Sequence, residues 1–551
     1  SNADGFFGNA NSSISSAIDT AKVNVRSGRV DHTASLSQTI MPYAYGDLFN
    51  SGNGPRVYSP AGEIRIAKAF SPGSGSPTIT GSHINYNAAS GTQLVTGFTY
   101  NALSLTGSAK VTDSLVNISI LDSIKVNTGV ALTMGNSGTS PSDTIFLRSS
   151  ANQTARFGQF AVTNPAITYL SNSKFVVERF ISTYRKWQFL SVPTYNTTAQ
   201  SVKESWMEGN APGGNSRPGY GTFVTTNDAQ WSGKGFDAFS PGGPSLKYYR
   251  LIDSSYVPVD SATSKINTST NSNNTAAGFM AKVAYFLYVR GDRSATPINT
   301  IGNSTILRTS GRLVTGSSPS GSIPAGKFYA IGNPYASPVL FSVLGKNVIS
   351  NAFYLWDPKL SGAYGVGGFR TCSWDGSNYS ITPYSPATDT AGVFAGGINN
   401  YIQSGQAFFV FNPDPSNSGS LTFSEASKSP VTKNIFRLAG TAFNRLRINI
   451  IYNILRFDAS GHASLIDGCM INFASSENNA VDREDFRKLS NQSGNFSVVT
   501  DGISLVVENR KNPVLKDSIQ FEQSGFYSGN YSLEINASEW GLSPRLTAYM
   551  V

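Results

Sequence analysis

Short alternations of apolar and polar residues run through residues 94–148: Leu103/Leu105, Val116/Ile118, Ile124/Val126, Leu132/Met134 and Ile145/Leu147. Gly, Ser, Asn or Asp closes each one. An apolar side chain at every second position marks a strand with one face in a core, because successive strand residues point to opposite sides. A helix would place its apolar residues three and four apart. The alternations recur at steps of about 8–13 residues, a spacing that suits either stacked solenoid coils or an antiparallel sandwich. A repetitive, solenoid-like β region over 4–173 is the expectation, with 4–93 less regular. The opening Ser-Asn-Ala reads as an expression remnant and takes no part in this reading.

Composition agrees with an all-β chain. Charged residues are 14% of the 551, where soluble domains usually carry about 25%. Aromatic residues are 12% and Gly numbers 53, a profile of pleated surfaces joined by turns. The net charge is +9 with a pI near 9.3, but the basic residues are scattered singly or in twos and threes. A nucleic-acid surface needs them concentrated, so no nucleic-acid partner is expected. No apolar run approaches the roughly 20 residues of a membrane-spanning helix. Cys372 and Cys469 are read as two buried thiols, and no Cys/His spacing suggests zinc.

From Lys174 the texture changes and the chain repeats itself. "YRKWQFLSVPTYN" (184–196) parallels "AGKFYAIGNPYAS" (325–337), and "FMAKVAYFLYVRGD" (279–292) parallels "YIQSGQAFFVFNPD" (401–414). An aromatic stretch lies between each pair, "LKYYRLID" (246–253) and "AFYLWDPKL" (352–360). Two related β units are expected, 174–322 and 323–430, with a C-terminal β-sandwich over 431–551. The duplication also accounts for Arg290-Gly291-Asp292. Gly291 and Pro413 each end the apolar strand of their own unit, so the tripeptide reads as a turn and not as a cell-adhesion signal.

Several strings in order resemble large Bacteroidetes surface proteins exported by type IX secretion: "SKFVVERFISTYRKWQFLSVPT", "GYGTFVTTN", "GFMAKVAYFLYVRGDRS", "GKFYAIGNPYASPV", "FYLWDPKL", "YIQSGQAFFVF" and "NAVDREDFRKLSNQSGNFSVVTDGISLVVENRK". The resemblance covers about residues 95–551. It implies a secreted or outer-surface location, and a sorting domain beyond Val551 as the contact with the secretion machinery. Asp-Ser/Thr followed by a small or apolar residue resembles the O-glycosylation motif of these bacteria. Its candidate acceptors are Thr20, Ser114, Ser123, Thr144, Ser261, Thr390 and Ser518. The same dipeptides also favour turns that enter strands.

Little catalytic chemistry is visible. The three histidines fall in no metal-ligand or nucleophile motif. "YGVGGF" (364–369) lacks the Lys-Ser/Thr of a phosphate loop. Carboxylates for a glycosidase or lyase could converge from distant strands. The visible ones are Glu204/Glu208, Asp357, Asp375 and Asp482/Glu484/Asp485. Glu204 and Glu208 read as solvated acids beside a buried Trp206. Asp357 reads as the cap of a turn with Pro358. The 482–485 group reads as an ion-paired surface in preference to a Ca²⁺ site, because basic residues interrupt it. No cofactor is expected. Trp231, Trp356 and Trp374 stand in Gly/Ser/Asp-rich surroundings and are the candidates for stacking on sugars. The expected function is a non-catalytic surface structural or adhesion module, with glycans or other surface proteins as partners. A polysaccharide-active enzyme and a spacer for an upstream catalytic domain are the alternatives.

Overall fold

The computed structural model describes residues 12–14, 29–32 and those from 37 to 537 other than 114–116, 136–142, 162–165, 183–184, 196–200, 212, 228–232, 239–242, 260–261, 263–281, 295–302, 359, 361–366, 377, 385–399, 431–443, 453–463 and 515. The fold is all-β, as the alternations require. Among the described residues the only helical turns are the 3₁₀ turns Phe341–Val343 and Glu425–Ser427. No helix there is long and apolar enough to cross a membrane.

In the N-terminal region the strands pair in parallel, mostly skipping the strand that comes next in the chain. Glu63–Ile66, His83–Tyr86, Thr99–Leu105 and Asn117–Val126 lie side by side, so that Ile64, Ile84, Leu103 and Ile124 form one ladder at intervals of 20, 19 and 21 residues. Ile66, Tyr86, Leu105 and Val126 form a second ladder two residues on. Both ladders are buried, as are Ile118, Leu132, Met134, Ile145 and Leu147. Val116 lies outside the described residues. A second parallel sheet joins Thr92–Val95, Ala109–Thr112, Leu132–Met134 and Thr168–Tyr169. Each turn of chain thus buries its apolar residues on the turn before it, and the core is continuous along the stack.

The last parallel strand, Lys174–Ile181, pairs on its other edge with Thr305–Leu313, which runs antiparallel. One ten-stranded sheet therefore carries the stack into the region where the sequence repeats. There the two sets of matching strings occupy matching strands. Lys186–Leu190, Tyr285–Val289, Leu246–Arg250 and Ser255–Pro258 form an antiparallel sheet in that spatial order. Phe328–Gly332, Ala407–Phe411, Ala352–Asp357 and Gly368–Trp374 follow the same order and sense, with Tyr379–Thr382 added at the edge.

The two sheets share an aromatic core. Phe189 stacks on Phe286 at 4.4 Å and on Phe409 at 5.3 Å. Tyr249, Tyr354 and Phe369 complete it together with Met470 and Val507 of the C-terminal sheet. The backbones also meet reciprocally: the N–H of Ser191 donates to the Gly405 carbonyl (3.0 Å), and the N–H of Gly332 donates to the Lys282 carbonyl (2.8 Å). In the strand registers Ser191 corresponds to Gly332 and Lys282 to Gly405, the latter one residue off the string alignment, so this is a pseudo-two-fold contact. Lys282 and Gly405 even share the left-handed backbone, with φ of 69° and 67°. The C-terminal region is a seven-stranded sheet built on Asn444–Tyr452, Ser464–Phe473 and Ile503–Arg510. Cys372 and Cys469 are both free and buried.

Candidate functional site

The three tryptophans proposed as sugar platforms have different fates. Trp231 lies outside the described residues. Trp356 is half-buried and belongs to the shared aromatic core. Its indole N–H donates to the Trp187 carbonyl (2.9 Å), and its ring meets Phe286 at 4.8 Å and Phe369 at 5.0 Å, edge to face. The expectation that its Gly-rich setting leaves it at the surface is corrected. Trp374 ends its strand with 36% of its surface exposed and packs one side on Tyr379 at 5.2 Å. The side chain of its neighbour Asp375 is buried, accepting from Arg445 (2.8 Å) and from the Asn378 N–H (2.8 Å). The Trp374 ring therefore sits on a rigid strand end, an arrangement that can stack on the apolar face of a sugar.

The carboxylates do not converge. Glu204 is exposed, while the Glu208 side chain is only 4% exposed and ion-paired with Arg308. Residues 202–209 form turns, so no helix face unites the two acids. The reading of both as solvated is corrected for Glu208, because Arg308 reaches it from the strand Thr305–Leu313, far along the sequence; Trp206 is buried as expected. Asp357 is a buried partner of Arg370 (2.7 Å), an ion pair that the turn-cap reading did not include. Asp482, Arg483 and Glu484 lie at the surface as expected, but the carboxylates of Asp482 and Asp485 bond backbone N–H groups and not the basic residues between them. Asp482 accepts from the Glu484 N–H (2.8 Å), and buried Asp485 accepts from the N–H groups of Asn509 (2.7 Å) and Asp482 (2.9 Å). Arg483 reaches away to Asp414 (3.2 Å). Burial pushes the Asp485 pKa up to about 6. Among the described residues no three His, Cys, Asp or Glu side chains gather as a metal site.

Of the glycosylation candidates, Ser518 is exposed, and Ser123 is half-buried with its hydroxyl on Asp122 (2.9 Å). Thr144 is 8% exposed within the parallel sheet, beside Asp143, whose buried carboxylate accepts from the Gly135 N–H (2.9 Å). Thr20, Ser114, Ser261 and Thr390 lie outside the described residues. The Arg-Gly-Asp turn is buried at both charged ends. Arg290 donates to Thr225 Oγ1 (3.2 Å), and Asp292 accepts from the Gly219 N–H (2.8 Å) and the Ser294 hydroxyl (2.5 Å).

Sequence reasoning missed a cleft where the stack meets the repeated sheets. Val177, Arg179, Leu190, Pro193, Thr309 and the Ser404–Gly405 turn line it, around an open volume of ≈ 280 Å³. Arg179 donates to the Ser404 carbonyl (2.6 Å). Only the fold brings these residues together, so no local pattern announces them. A second junction lies nearby, where Glu425 accepts from the Phe160 N–H (2.7 Å), the Gly316 N–H (2.8 Å) and Lys428 (2.8 Å).

Fold and surface together define an all-β protein in which a parallel strand stack carries paired antiparallel sheets. Residues 224–543, more than half of the chain, match the family described as "Domain of unknown function (DUF8693)", and the chain belongs to that family. No curated protein and no solved structure matches it.

Proposed function

We propose that this chain is a non-catalytic display and adhesion module, exported by type IX secretion and held at or released from the outer cell surface. The parallel stack serves as a solenoid stalk and the paired sheets as its head, with surface glycans or neighbouring surface proteins as ligands. The observation that carries this reading is the commitment of six of the buried acids. Glu178, Asp237, Asp357, Asp375, Glu425 and Asp467 each lie within ion-pair distance of an Arg or Lys. A general acid or base needs a transferable proton and access to substrate, and acids held in this way supply rigidity instead. Of the two candidate tryptophans among the described residues, Trp374 is the one left open to a ligand.

A glycan array probed with the intact chain and with Trp374→Ala tests the reading. Binding of a glycan class by the intact chain, lost in Trp374→Ala, is the expected result. Silence across the array, together with release of new reducing ends from polysaccharide, would replace it with the enzymatic reading.

A further inference from the structure

We propose that the cleft between the strand Lys174–Ile181 and the Ser404–Gly405 turn binds a small oxyanion, a carboxylate or sulfate group, through Arg179, Thr309 and Ser404. The first observation is that these three side chains line the cleft and are incompletely satisfied. Arg179 Nε, Thr309 Oγ1 and Ser404 Oγ are all buried without a hydrogen-bond partner. Thr309 is 4% and Ser404 6% exposed. Buried polar atoms without partners are rare, because each has given up its hydrogen bonds to water for nothing in return. Three around one cleft point to something that completes them.

The second observation is charge. Among the described residues the Arg179 guanidinium makes no ion pair, and burial pulls its pKa down to about 10. The one acid in the lining, Glu178, is the next residue on the strand and so projects to the opposite face. Its oxygens are taken by Arg148 (2.8 Å) and the Ser149 N–H (3.1 Å). The site therefore presents one cation and two hydroxyl groups, which matches an oxyanion: guanidinium nitrogens donate to two oxygens, and hydroxyls donate to the remainder. The enclosed part has room for about one ordered water, so one oxygen of the anion fills it and the rest of the occupant stands in the open part of the cleft. An anion there would bridge the stack's terminal sheet to the turn that carries Gly405, itself bonded to Ser191. This inference does not rest on the display reading, since it concerns a junction remote in sequence from Trp374.

Isothermal titration of the intact chain with sodium sulfate, sodium glucuronate and glucose, at ionic strength held with sodium chloride, tests it. Saturable binding of sulfate or glucuronate but not of glucose is expected, weakened at least tenfold by Arg179→Gln and by Thr309→Val. The valine is nearly isosteric with threonine and keeps the test valid if the arginine variant unfolds. Sulfate binding alone identifies a free inorganic anion as the occupant, and tighter glucuronate binding identifies an acidic sugar. No saturable binding of either anion, equal binding of glucose, or undiminished binding in folded variants would overturn the proposal.

Discussion

Ser191 and Gly332 hold corresponding positions in the two repeated sheets and meet across their interface: a Cβ on Gly332 would lie 2.1 Å from the Ser191 Cβ. Two copies of one motif that pack about a pseudo-two-fold axis bring the same residue against itself, and here only one of the two can carry a side chain. Gly332→Ala should destabilise the chain by about 1–3 kcal/mol through overpacking. The double variant Ser191→Gly/Gly332→Ala should recover most of that loss, because the glycine has then changed sides. Urea denaturation of both singles and the double forms a cycle, and additive losses would refute the contact.

The repeat was legible because its strings keep an aromatic strand and a closing turn. Which faces those strands bury was not. Trp356 stands near "YGVGGF", a setting that reads as a loop, yet a Cβ on Gly367 would come within 2.7 Å of the Trp356 ring. The glycine makes room for the indole against the sheet, so flexibility suggested by composition is in fact close packing. The alternating pairs of the stack were legible for the opposite reason: Leu103/Leu105 and Ile124/Val126 report burial through their own spacing. Asp357–Arg370 joins two strands and Glu208–Arg308 joins a turn to a strand, and neither has a local signature.

Glu425 ties the stack to the second repeated unit by serving two backbone N–H groups and Lys428 at once. The Lys428 ammonium in turn lies over the rings of Tyr335 (4.6 Å) and Phe157 (5.3 Å). Glu425→Gln leaves a buried ammonium without its counter-ion and should cost about 3–5 kcal/mol. Adding Lys428→Met should restore part of the loss, since the unpaired charge is then removed. Equal stability of Glu425→Gln and wild type in urea would contradict the joint.

Both thiols sit in apolar surroundings, and burial pushes their pKa values well up. Because the thiolate is the reactive form, Cys372 and Cys469 should ignore a thiol-reactive dye in the native chain at pH 8. Both should react in denaturant, giving two equivalents. Reducing agent should leave the urea midpoint unchanged. Rapid native labelling of either cysteine would place it nearer the surface than the fold does.

Asp485 gives the chain a defined pH response. Its folded pKa is raised to about 6, against about 3.9 in an unfolded chain. Between these values the folded state holds the extra proton, so stability falls as pH rises from about 4 to 6 and is level above. The contribution is on the order of 2–3 kcal/mol. Asp485→Asn removes the titration, and the difference between its urea midpoint and that of wild type should change across this window and then stay constant. A difference that is flat from pH 4 to 7 would show that the carboxyl titrates normally.

Arg290-Gly291-Asp292 makes the last prediction, because a linear adhesion signal must offer its carboxylate to a receptor. The Asp292 carboxylate instead accepts the Gly219 N–H and the Ser294 hydroxyl, and Gly291 supplies the turn with φ of 99°. Lengthening the side chain in Asp292→Glu displaces both bonds and should destabilise the native state by about 1–3 kcal/mol. Surfaces coated with the native chain should support no cell attachment that depends on Asp292, whereas a urea-unfolded coat exposes the tripeptide and should support some. Attachment to the native coat that Asp292→Glu abolishes, with its stability unchanged, would mean that the turn opens to partners. The expected pattern, a loss of stability without a change in attachment, makes the tripeptide part of the loop framework that also buries Arg293 against Asp237 at 2.7 Å.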